Sequence, residues 1–164
     1  MKAKKIWTFW VIPLLIVALA VTPWVWWEVK PDKPLQVAIL DKTVPNTTYR
    51  EHKGLVWLLN QQKYTKLNGE RYDYATDYYG FFPGTDEQYK VTGLPQDMSN
   101  TDMIYVADTY GVEKSQYLKA SNGSNAGTGD GDLSQGMLYG GLDTSDVQRI
   151  RRAVTEQGVK TLIA

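Results

Sequence analysis

Three short runs carry the residues whose types and spacing could do chemistry. Asp41-Lys42-Thr43 follows the apolar stretch Leu35–Leu40, and Asp108-Thr109-Tyr110 follows Asp102–Ala107. Tyr139-Gly140-Gly141-Leu142 leads into a helix that starts near Asp143. In open α/β sheets, ligands bind in the crevice beyond the carboxyl ends of the strands. Asp41 and Asp108 would then stand at one edge, with Lys42, Thr43, Thr109 and Tyr110 facing the same crevice. Two carboxylates held there can share a proton, hold a cation or accept from a sugar hydroxyl. An Asp at a strand end equally serves to cap a turn through its own side chain. Gly140 and Gly141 can expose backbone N–H groups to an anion at a helix start, or simply make a tight turn. They match neither GxGxxG nor GxxxxGK(S/T), so no catalytic residue is assigned.

His52 is the only histidine. It falls in the first turn of a helix, as Arg50-Glu51-His52-Lys53, with no sequence-level partner, and reads as a surface or capping residue rather than a base or ligand. The chain has no cysteine, which removes a disulfide framework, a thiolate zinc site and a cysteine nucleophile from these residues. Asp130-Gly131-Asp132 hints at calcium, but the spacing is not that of a twelve-residue calcium loop. No metal site and no cofactor are implied. Asn46 and Asn122 head Asn-x-Ser/Thr patterns, which matter only where the cell glycosylates them.

These groups need a scaffold. Leu35–Leu40 (LQVAIL) and Asp102–Ala107 (DMIYVA) read as strands buried on both faces, and Val159–Ile163 starts a third. Tyr49–Lys63 reads as a helix with Leu55, Leu58, Leu59 and Gln62 on one face and Thr47 or Thr48 as its cap. Val147–Gln157 is a second helix, with Asp143 or Thr144 as cap, Asp146 at its positive end and Gly158 closing it. Tyr64–Asn100 is an irregular, Tyr-rich insert in which Tyr72–Tyr79 and Gln88–Val91 are short strand candidates. Its tyrosines can stack on sugar rings, but packing onto the sheet is the more economical use of large aromatics. Thr109–Tyr139 reads as a long loop holding the Gly/Ser/Asn run Ser121–Gly131, whose composition is that of a flexible surface segment. The alternation of strands and helices predicts an α/β domain with a parallel sheet. Its third strand coincides with Ala164, so the expectation is a partial domain, truncated at its carboxyl end.

The charge map adds location. Of eighteen basic residues only Lys2, Lys4 and Lys5 precede residue 28, whereas all eighteen acidic ones lie at 28 or later. The zero net charge gives no footprint for nucleic acid. Ile6–Trp27 contains 22 uncharged residues, enough for a span of about 20. Trp7, Phe9 and Trp10 flank one end and Trp24, Trp26 and Trp27 the other, as in interfacial aromatic belts. Pro13 and Pro23 are tolerated in such helices. Three preceding lysines predict a cytoplasmic amino terminus and an extracytoplasmic remainder. Ala18-Leu19-Ala20 would fit cleavage of a signal peptide, but the apolar run continues to Trp27. The expected organisation is a basic tail (1–5), an anchor (6–27), a charged linker (28–34) and an extracytoplasmic domain (35–164).

The set VAILDKTVP, YREHKGLVWLLN, DYYGFFP, MIYVADTYGV and YGGLDTSDV behind a Trp-rich anchor resembles an uncharacterised family of bacterial membrane-anchored proteins. The order of elements also resembles the amino-terminal half of the glutamine amidotransferase-like (flavodoxin-like) fold. The resemblance implies architecture and location. The cysteine that active amidotransferases carry after a later strand has no counterpart in these residues. Three functions stay open: a domain binding an envelope ligand or a membrane-protein partner, an exported hydrolase of envelope carbohydrate or peptide using Asp41 and Asp108, and a subunit of a membrane transport assembly.

Overall fold

A computed structural model describes residues 2–84, 88–121 and 136–164. The chain divides into two compact units, Met1–Asp32 and Lys33–Ala164. The first unit is helix α1, Lys2–Val29, with Pro13 and Pro23 inside it. Within it, Trp10–Val29 is long and apolar enough to cross a membrane and is not buried by protein. Thr22 Oγ1 donates to the Ala18 carbonyl oxygen at 2.7 Å, a local bond that lets a hydroxyl sit in an apolar helix.

The second unit is mixed α/β. Its elements are β1 (Lys33–Pro34), β2 (Val37–Asp41), α2 (Arg50–Gln61), β3 (Tyr64–Thr65), β4 (Tyr79–Pro83), β5 (Tyr89–Thr92), β6 (Met103–Asp108), β7 (Val112–Glu113), α3 (Lys114–Ser121), β8 (Met137–Tyr139), α4 (Thr144–Thr155) and β9 (Thr161–Ile163). The main sheet has the order β5-β4-β2-β6-β9. Strands β4, β2, β6 and β9 run parallel, while β5 returns antiparallel to β4. The sheet is therefore mixed rather than parallel throughout. The tyrosine-rich insert contributes β4, a fourth parallel strand, and then folds back on itself as a hairpin edge. Lys33–Pro34, in the expected linker, pairs in parallel with β3.

The alternation in β2 explains the layering. Val37 and Ile39 pack with Val56 and Leu59 of α2, whereas Ala38 and Leu40 pack with Ala153 of α4. Each strand residue points to the face opposite its neighbour, so the continuous apolar run is what a strand covered on both sides requires. β9 is different. All three of its residues are exposed, because it has β6 as its one described neighbour; the expected burial of the third strand does not hold.

The expected loop Thr109–Tyr139 contains α3 and the antiparallel pair β7–β8. A third cluster, Phe81, Val112 and Tyr117 with Leu138 and Tyr139, holds this excursion onto β4. Residues 122–135, with Asn122, Asp130-Gly131-Asp132 and most of the Gly/Ser/Asn run, lie outside the described residues.

Candidate functional site

Asp41 ends β2 and Asp108 ends β6, and the two are register partners across a local irregularity of the parallel ladder. Sequence position alone thus brings together the runs 41–43 and 108–110. The backbone knits them: Lys42 N–H donates to the Asp108 carbonyl oxygen at 2.9 Å. Thr43 Oγ1 donates to Asp108 Oδ1 at 2.9 Å and accepts from Gly111 N–H at 3.1 Å. Tyr110 N–H also donates to Asp108 Oδ1, at 3.1 Å.

The third run joins the same edge. Leu142 N–H donates to the Thr109 carbonyl oxygen at 3.1 Å. Gly141 has φ +81°, and a Cβ on it would overlap that same oxygen and crowd Gly111. Glycine is needed there for a close backbone crossing. Gly140 is exposed, and a Cβ on it would meet nothing within 4 Å. The amino end of α4 is satisfied internally: Asp143 Oδ1 accepts from Asp146 N–H at 3.0 Å while the Asp146 carboxylate accepts from Asp143 N–H at 3.2 Å, a complete capping box. The Gly140-Gly141 pair is therefore a turn, and the negative group at the helix start is the protein's own.

Asp41 and Lys42 lie beneath this edge. The Asp41 side chain is 0% exposed, accepts from Thr43 N–H through Oδ1 at 3.1 Å, and through Oδ2 stands 2.6 Å from His52 Nδ1. Its partner is thus His52 rather than Asp108. A proton-sharing or hydrolytic carboxylate pair needs both groups open to substrate, and Asp41 has no exposed surface. Lys42 is equally buried: Nζ bonds Asp146 Oδ2, lies 3.7 Å from Asp143 Oδ2 and sits over the Tyr139 ring. Burial alone would lower the Lys42 ammonium pKa, but the hydrogen bonds to Asp146 and Tyr139 outweigh it and hold the group above its usual value.

His52 is a correction. It is wholly buried, not a surface or capping residue. Nε2 lies 2.7 Å from the Tyr74 carbonyl oxygen. A carbonyl only accepts, so Nε2 carries hydrogen. Contact between Nδ1 and the Asp41 carboxylate then requires one further proton, on either atom. The ring is enclosed by aromatics, with Tyr78 at 4.5 Å and Tyr49 at 5.9 Å between centroids. Burial pushes the Tyr78 phenol well above its ordinary range, and its hydroxyl donates to the Phe81 carbonyl oxygen. The cap of α2 is Tyr49 in the left-handed region, without a side-chain bond; Thr48 instead closes a turn on Asn46.

Two groups at the edge face outward. Tyr110 is 85% exposed. Asp108 is half-buried, and its Oδ2 has no hydrogen-bond partner among the described residues. Among the described residues no cluster of three His, Cys, Asp or Glu side chains is placed to hold a metal ion. Comparison with protein-family models, with curated proteins and with solved structures finds no match for this chain.

Proposed function

We propose that the chain is a membrane-anchored extracytoplasmic α/β domain that binds a small polar envelope ligand at the carboxyl edge of β2 and β6. The anchor rests on α1, with its uncharged run, its aromatic ends and the lysines before it. The orientation follows from the same three lysines. The architecture is read as doubly wound and flavodoxin-like. Numbered along the chain, the parallel strands β2, β4, β6 and β9 stand in the order second, first, third, fourth, the start of the 2-1-3-4-5 order. This fits the resemblance to membrane-anchored bacterial proteins with an amidotransferase-like domain.

One observation carries the site. The strand order reverses between β2 and β6, and ligands in such sheets bind at that switch point. There Tyr110 stands 85% exposed next to Asp108. A flat aromatic face beside an uncommitted carboxylate oxygen suits a ligand bearing hydroxyl or amino groups. Binding is favoured over hydrolysis because Asp41 and His52 are spent on each other and Lys42 on Asp146, all of them buried.

Two experiments test this reading. Alkaline phosphatase fused after Lys33 is expected to be active, and a fluorescent protein that matures only in the cytoplasm is not; the reverse pattern removes the anchor model. Thermal unfolding of the full chain with a panel of amino acids, amino sugars and peptidoglycan fragments reads the site. A ligand at 100 times its Kd adds about 2.7 kcal/mol. That gain is expected to vanish in Asp108→Asn and Tyr110→Ala, and stabilisation indifferent to both overturns the assignment.

A further inference from the structure

A cleft of about 460 Å³ lies at the opposite, amino edge of the main sheet, within the range of small-ligand sites. Its wall includes Gln36 just before β2, Tyr79 at the start of β4, Asn100 and Thr101 just before β6, and Leu67 and Pro95 from the flanking loops. None of these takes part in the switch-point edge, so the cleft is independent of the site proposed above.

Apart from Lys66 and Asp97 the wall is built of neutral groups, several with spare hydrogen bonds. Gln36 is fixed: its Oε1 accepts from Leu67 N–H at 3.2 Å, and its backbone N–H donates to Asp102 Oδ2 at 2.8 Å. That leaves the Gln36 side-chain NH2 oriented and without a partner among the described residues. The Tyr79 hydroxyl, the Thr101 hydroxyl and the Asn100 carboxamide likewise have none among those residues. Tyr79 and Thr101 are half-buried, and their hydroxyls keep contact with solvent, so that a ligand in the cleft would replace water on them. The one cation in the wall, Lys66, is held by Asp77 and Glu70, each at 3.1 Å. Among the described residues of the wall no free positive charge is left for a phosphate or carboxylate. The Asp97 carboxylate at the rim is held by Ser99.

We infer that this amino-edge cleft is a neutral saccharide site. A sugar hydroxyl donates and accepts at once, which matches a wall of amides and hydroxyls, and the C–H face of a pyranose ring matches the apolar lining that Tyr79, Leu67 and Pro95 contribute. Burial of each paired polar group avoids a desolvation penalty that an apolar ligand would incur.

The test uses the full chain in lauryldimethylamine oxide micelles, a detergent without a sugar headgroup. Chitotetraose and cellotetraose are titrated while the side-chain amides of Gln36 and Asn100 are followed by NMR. Saturable shifts with a Kd of about 1 mM are expected for at least one of the two. Asn100→Ala is expected to weaken binding at least about fivefold. Asn100 is exposed, so this variant keeps the fold; Tyr79→Phe keeps the ring while removing the hydroxyl, and is expected to weaken binding less than Tyr79→Ala. Absence of saturation at about 50 mM of both sugars, shifts unchanged by Asn100→Ala, or shifts centred on Tyr110 would each overturn the assignment.

Discussion

Asp41 and His52 are eleven residues apart in the chain and 2.6 Å apart in the fold, and neither side chain is exposed. The contact ties the end of β2 to the first turn of α2. Because His52 Nε2 is committed to the Tyr74 carbonyl oxygen, the ring offers no free nitrogen to a substrate. The pair fixes the frame of the carboxyl edge.

Removing one member therefore exposes the energetics. His52→Ala leaves a buried carboxylate without its partner, a loss of about 3–5 kcal/mol. Asp41→Asn behaves differently: its oxygen can keep the Thr43 N–H bond while its NH2 donates to Nδ1 of a neutral ring. The expected loss is below about 1.5 kcal/mol. Urea unfolding of the two variants should separate them clearly, and equal losses would mean that pairing the buried carboxylate is not what His52 contributes to stability.

Lys42 supplies a pH dependence at the alkaline end. Its folded pKa is raised above 10.5, so the ion pair with Asp146 stabilises fully below that value. The contribution is lost as pH rises through the higher folded pKa. Unfolding midpoints are expected to fall above about pH 10.5, and Lys42→Met should reduce that dependence to the part owed to other raised groups such as Tyr78 and Lys66, while lowering stability by about 3–5 kcal/mol at neutral pH.

At the acid end one sensitive group is Asp143. Hydrogen bonds from Ser145 and Asp146 N–H, and then the charge of Lys42, hold its carboxyl at about 2, below the ordinary 3.8. A depressed pKa gives stability that is present above the unfolded value and lost as pH falls through the folded one. The cap should weaken between about pH 4 and pH 2. Asp143→Ala is expected to cost about 1 kcal/mol at neutral pH and to flatten the acid limb, read by circular dichroism of the helices.

The carboxyl edge could be read from the chain because it follows from strand ends. Once Leu35–Leu40 and Asp102–Ala107 are parallel neighbours, Asp41 and Asp108 must meet. The face of α2 could not be read in the same way. Leu55, Leu58, Leu59 and Gln62 look like the apolar stripe, and of these Leu59 is buried, but its buried companions are His52 and Val56, and Trp57 is 65% exposed. The spacing 52-56-59 is a sound helical stripe; counting histidine as polar hides its first member. His52 is buried because Asp41 and the Tyr74 carbonyl satisfy both ring nitrogens, which only tertiary structure brings about. β4 was obscured for a related reason. Tyr79-Gly80-Phe81-Phe82 carries a glycine that weakens any strand signal, yet that glycine is what lets β4 approach β2.

Two glycines make this last point measurable in opposite directions. Gly80 has φ +130°, and a Cβ there would overlap the Asp41 carbonyl oxygen. Alanine at 80 must push β4 away from β2 at its register with Asp41, while adopting a backbone angle that L-residues avoid. Strain and lost strand pairing together should cost upwards of about 3 kcal/mol and disturb the edge that carries Asp108. Gly54 lies within α2, where a Cβ would meet nothing within 4 Å. Alanine there removes backbone entropy from the unfolded chain without a clash and should stabilise by about 0.5–1 kcal/mol. Denaturant unfolding of Gly54→Ala and Gly80→Ala side by side tests the placement of both elements. A stabilising Gly80→Ala would mean that β4 does not pass so close to Asp41, and a destabilising Gly54→Ala would mean that the outer face of α2 is covered.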